Sequence, residues 1–69
     1  MNDIEETTMT AEEMKKTMLD GLRAKGWNRA YAFVEKQTDP VDIECAYEDY
    51  LDYAGDSEFI LMQFFLEVS

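Results

Sequence analysis

Apolar positions recur every three to four residues along most of this 69-residue chain, and the breaks in that rhythm divide it into four stretches. In the first, Ala11, Met14, Met18, Leu19 and Leu22 gather on one helical face that runs to about Lys25. Thr10-Ala11-Glu12-Glu13 has the form of a capping box and marks its start, and Gly26 marks its end. Gly21 inside it costs roughly 1 kcal/mol against alanine, so it is either a point of close packing or a weakness. A short second helix over 29–37, with Asn28 as its N-cap, puts Trp27, Ala30, Tyr31, Phe33 and Val34 on one side. The same RAYAFVEK also fits a strand leading into the turn at Thr38-Asp39-Pro40.

The third stretch, Asp39 to Gly55, organises the rest. As a helix it gathers Ile43, Ala46, Tyr47, Tyr50, Leu51, Tyr53 and Ala54 on one arc and leaves Asp42, Glu44, Glu48, Asp49 and Asp52 on the other. Asp39 suits the N-cap, Pro40 the first helical position, and Gly55 the residue past the end. A strand reading competes, because Val41, Ile43, Cys45, Tyr47, Leu51 and Tyr53 alternate with acids. Its misfits are Ala46, Asp49 and Tyr50, against Val41 and Cys45 for the helix, so the helix fits better.

After Gly55-Asp56-Ser57, which fits a helix-helix junction with Asp56 or Ser57 as cap and a hairpin turn almost as well, Glu58 to Ser69 is apolar nearly all round. As a helix it leaves only Gln63 and Glu67 as a polar stripe, and as a strand it is apolar on Ile60, Met62, Phe64, Leu66 and Val68 and largely so on the other face. Phe59, Ile60, Met62, Phe64, Phe65 and Leu66 therefore demand burial on more than one side, as the central core element, as the seam of a homodimer, or as both. The pattern predicts an all-α protein, a compact bundle of about four short helices that is dimeric. The alternative is α+β, one N-terminal helix packed on a three-stranded antiparallel sheet. Residues 1–9 read as a flexible acidic tail and 10–69 as a single small domain.

Charge changes this picture more than composition does. With 46% apolar residues and nine aromatics the chain has the material for a core, yet its net charge is −10. Residues 1–14 carry −5, residues 15–36 carry all six bases and a net +4, and residues 39–69 carry nine acids and no base. Such a chain is unsuited to bind nucleic acid or an anionic membrane directly, since both require a basic footprint. A basic protein is the favoured partner, and one that itself binds nucleic acid is the leading choice. No apolar run reaches membrane-spanning length, and the acidic MNDIEETT lacks the basic start of a signal peptide, so a soluble, cytoplasmic chain is expected.

Candidate chemistry is sparse. There is no histidine, serine occurs only at Ser57 and Ser69, and Cys45 is alone, so neither a nucleophilic triad nor an ordinary zinc site can be assembled. The acids lack calcium-loop spacing and the glycines form no phosphate-binding fingerprint. No enzyme, metal or cofactor is expected. Lys15, Lys16, Arg23, Lys25 and Arg29 are expected to neutralise acids within the fold or across a dimer.

What remains is the acidic face. Glu44, Glu48 and Asp52 form an i, i+4, i+8 row rising about 6 Å per step, Asp42 and Asp49 form a second row, and Asp39, Asp56 and Glu58 extend the strip at both ends. Two such tracks are coarsely like the phosphates of a duplex. On that strip and the overall composition, the chain resembles as a class the small inhibitors that phages direct against host machinery, DNA mimics among them. The resemblance implies an inhibitor of a basic protein, acting by charge mimicry. A different expectation is a small structural subunit or adaptor that works through the apolar C-terminal segment, its acids serving solubility alone.

Overall fold

A computed structural model describes residues 9–68, the last of these by its backbone only. The described residues form four helices and no strand: α1 (Ala11–Lys25), α2 (Asn28–Lys36), α3 (Pro40–Tyr53) and α4 (Glu58–Val68). The fold is thus the all-α bundle of about four short helices, and the sheet alternative falls away for these residues. The expected tail at 1–8 lies outside the described residues. Met9, read as part of that tail, accepts the Tyr47 hydroxyl on its sulfur at 3.4 Å.

Most helix ends follow from local chemistry. Thr10 Oγ1 accepts from Glu13 N at 3.1 Å while Glu13 Oε1 accepts from Thr10 N at 3.0 Å, which completes the capping box. At the other end of α1, Gly26 takes φ 75°, a left-handed turn that disfavours any side chain. Trp27 N then donates to Leu22 O and Gly26 N to Arg23 O, a Schellman closure. Asp39 caps α3 through Oδ1, which accepts from Val41 N at 2.8 Å, with Pro40 at the first helical position. Ser57, not Asp56, caps α4, its Oγ accepting from Ile60 N at 3.3 Å.

Helix α2 is different. It begins one residue earlier than the sequence suggested, with Trp27 at the N-cap and no side-chain cap of its own. Glu58 from α4 supplies one: its Oε2 accepts from Arg29 N at 2.8 Å and from Ala30 N at 3.0 Å. At the opposite end Lys15 from α1 donates from Nζ to Glu35 O at 2.9 Å and to Gln37 O at 2.6 Å. An anion therefore sits at the positive end of the α2 dipole and a cation at its negative end, both delivered by neighbouring helices.

The core is built from one pair of residues per helix, each about one turn apart: Met18 and Leu22, Ala30 and Val34, Ile43 and Ala46, Leu61 and Phe65. Helix α1 packs on α2 and α3, and α4 packs on the same two. Phe33 of α2 stacks on Phe65 with centroids 4.8 Å apart, and Tyr53 of α3 stacks on Phe64 at 4.0 Å. Gly21 is a close-packing point, since a Cβ there would stand 3.1 Å from Cζ of Tyr50 and nearer still to its hydroxyl.

The last segment, expected as the central core element, the seam of a homodimer, or both, enters the core on one side only. Helix α4 rests on two neighbours and buries only Leu61 and Phe65, with Phe64 and Met62 half-covered, while Phe59, Ile60 and Leu66 are exposed. Four short helices can close a core around one turn's worth of side chains each, and the rest of an all-round apolar helix is then left outside.

Candidate functional site: the outward face of α3

Helix α3 turns Ile43 and Ala46 into the core, with Tyr47 and Tyr50 toward α1 and Tyr53 toward α4. Its outward arc, about 100° wide at 100° per residue, holds Glu44, Glu48 and Asp52, all exposed. Val41 and Leu51 lie on the same arc, 65% and 61% exposed. Leu51 is thus a correction to the sequence reading, which placed it on the core-facing side. It lies at the edge of the apolar arc next to Tyr47, and neither α1 nor α4 extends far enough round α3 to cover it.

Other proposed members of the strip are distributed differently. Asp39 is exposed but uses one oxygen as the α3 cap, Asp42 is exposed in the first turn, and Asp56 is exposed in the junction. Glu58 leaves the strip, because its carboxylate is turned inward to the first turn of α2. Asp49 leaves it too: it is half-buried on the flank of α3 toward α4, and its Oδ2 is enclosed with no hydrogen-bond partner among the described residues. Burial raises its pKa above the ordinary carboxylate value, and the negative charges of Asp52, Glu48 and Glu67 raise it further. The exposed row is therefore Glu44, Glu48 and Asp52, with Asp42, Asp39 and Asp56 at its ends.

The row is not neutralised by the basic residues of the first half. Among the described residues the ion pair found is Lys16–Asp20, 3.4 Å and fully on the surface of α1. Lys15 is committed to α2 and Lys25 lies 5.0 Å over the Trp27 ring. No base occurs from Asp39 to the end of the chain. The expected internal neutralisation of the acids is not found in these contacts.

Among the described residues no cluster of three or more histidine, cysteine or acidic side chains has the geometry to hold a metal ion, and no helix is long and apolar enough to cross a membrane. Cys45 is a half-buried free thiol. A second surface was foreshadowed by the apolar run but not located by it: Phe59, Met62, Gln63 and Leu66 of α4 line a cleft of about 210 Å³ with Arg29 and Glu58. No known protein family, curated protein or solved structure matches the chain.

Proposed function

We propose that this chain is a small cytoplasmic interaction protein, without enzymatic activity, that binds and blocks a basic protein surface through the outward face of α3. The observation that carries this reading is the exposed row Glu44, Glu48 and Asp52, set at one-turn intervals on a capped helix and left without a counter-charge among the described residues. Like charges at i, i+4 cost a helix a few tenths of a kcal/mol each, so the row is a departure from what stability alone favours. A rigid helix also presents its carboxylates without first having to order them, which lowers the entropic cost of binding. Val41 and Leu51 add apolar contact beside the row. The partner that suits this face is a protein with lysines or arginines and some exposed apolar surface, such as a nucleic-acid-binding groove.

The test is capture of proteins from a bacterial lysate on the immobilised chain at low and high salt, compared with the variant Glu44→Gln/Glu48→Gln/Asp52→Asn. Three exposed charge pairs at roughly 0.5 kcal/mol each amount to about a tenfold loss of affinity. Captured proteins should be retained at low salt, released at high salt, lost by the variant, and displaced by duplex DNA. Retention indifferent to both salt and the substitutions would overturn the proposal.

A further inference from the structure

Helices α3 and α4 are consecutive, in contact, and joined by 54–57 alone, so they pack as an antiparallel hairpin. One rung of that hairpin is fixed by the Tyr53–Phe64 stack, its centroids 4.0 Å apart and its rings 5° from parallel. One turn further from the junction, the same register sets Asp49, at i−4 from Tyr53, opposite Glu67, at i+3 from Phe64. An attractive aromatic rung is therefore followed by a rung of two carboxylates. Helix α4 ends at Val68, which puts this rung at the open end of the hairpin.

The carboxylate rung is poorly compensated. Asp49 is half-buried, and its Oδ2 is enclosed without a hydrogen-bond partner among the described residues. Burial first, and then the charges of Asp52 and Glu48 on α3 and Glu67 on α4, disfavour its ionised form. No base answers them. Helix α1 packs on the Tyr47 and Tyr50 side of α3, the ion pair found among the described residues is Lys16–Asp20 on α1, and α4 carries no base. The C-terminal end of α4 adds the negative end of its own dipole. Up to Phe65 the helix is anchored, because that ring is buried and stacked on Phe33 of α2. Leu66 and Glu67, which follow it, are exposed.

We propose that the open end of the α3–α4 hairpin is a pH-dependent latch: with a proton on Asp49 the last turn of α4 closes against α3, and with Asp49 ionised that turn lifts away beyond Phe65. The protonated acid is a donor that the Glu67 carboxylate can accept from, whereas the ionised acid is a like charge facing it. The sign follows from linkage. The closed form holds the Asp49 proton more tightly than the open form, so closure is favoured as pH falls through the carboxylate range and is lost as pH rises through the raised value of Asp49. Lifting the turn gives Oδ2 to water and adds Asp49 to the exposed acids of α3. The latch belongs to the hairpin itself and stands whether or not the α3 row binds a partner.

The test is an NMR titration of the full chain from acidic to neutral pH, following the carboxyl carbon of Asp49 and the Cα shifts of Leu66 and Glu67, which report helix in the last turn. The helical shifts at Leu66 and Glu67 should fall as pH rises, with the midpoint of Asp49 itself, while those of the buried Met18 and Leu22 on α1 hold. Asp49→Asn should keep the turn helical and remove most of that pH dependence. Glu67→Lys should raise the closed-to-open ratio at neutral pH roughly three- to fivefold, a surface pair turned from repulsion to attraction. It should do less in the Asp49→Asn background, where the dipole contribution remains but the facing charge is gone. Helical shifts indifferent to the titration of Asp49 overturn the latch, as does a pH dependence undiminished in Asp49→Asn. An equal effect of Glu67→Lys in both backgrounds overturns the pairing of Asp49 with Glu67.

Discussion

Asp49 is the residue at which the acidity of this chain meets its packing. Its enclosed Oδ2 and its three acidic neighbours, Glu48 and Asp52 on α3 and Glu67 on α4, all disfavour the charged form. The folded state thus holds the Asp49 proton more tightly than the unfolded chain does. Its contribution to stability is greatest below the unfolded carboxylate pKa and is lost as pH rises through the raised folded value. Asp49→Asn should therefore raise the melting temperature at pH 7, and its advantage over wild type should shrink as pH is lowered through the carboxylate range. Thermal melts of both chains across that range check this, and an advantage that grows on acidification would show that Asp49 is not the source. At sequence level Asp49 looked like any other member of the strip. Its 100° steps place it at the flank, but only the position of α4 turns a flank into a half-buried site.

At the scale of elements, α2 shows how a helix too short and too poorly capped to stand alone is held in place. A nine-residue helix is marginal in isolation. Here Glu58 and Lys15 close its two ends from α4 and α1, so capping and tertiary packing are one event. Replacing Glu58 by Ala leaves two first-turn amides without their acceptor and should cost about 1–2 kcal/mol. Glu58→Gln, which keeps one acceptor oxygen but not the charge, should cost less, and Lys15→Met should destabilise through the other end. Denaturant unfolding of the three variants ranks them, and an Ala variant as stable as wild type would contradict the capping role. The contrast with α1 and α3 explains what was legible beforehand. Thr10, Glu13, Gly26, Asp39 and Pro40 are signals that act within a few residues of themselves, and they were read correctly along with the core-facing Met18, Leu22, Ala30, Val34, Ile43 and Ala46. Glu58 acts on residues 28 and 29 positions away, and Leu51 is exposed because neither α1 nor α4 reaches that side of α3. No local pattern encodes either fact. The apolar run at 58–68 was legible as a helix or strand needing cover, but how much of it the fold itself covers depends on where the other three helices end.

Over the whole molecule, a chain of net charge −10 must fold with the acids of α3 and α4 unrelieved by any base in that half of the chain. The surface ion pair Lys16–Asp20 is too exposed to contribute much. The packing of eight buried side chains therefore works against long-range repulsion more than it is helped by local attraction. Screening at a Debye length of about 8–10 Å, reached near 0.1–0.15 M salt, weakens repulsion between surface acids while leaving the packed core in place. The melting temperature should consequently rise with sodium chloride and level off near physiological ionic strength. Salting-out of apolar surface, by contrast, keeps growing at higher concentrations. The variant Glu44→Gln/Glu48→Gln/Asp52→Asn separates the two contributions. It removes two like-charge i, i+4 pairs and three units of net charge. It should be more stable than wild type at low salt by about 0.5–1 kcal/mol, gain less from added salt, and bind a basic partner less well. If the variant is no more stable at low salt, the acids of α3 carry no folding penalty, and the argument that they are retained for binding loses its physical basis.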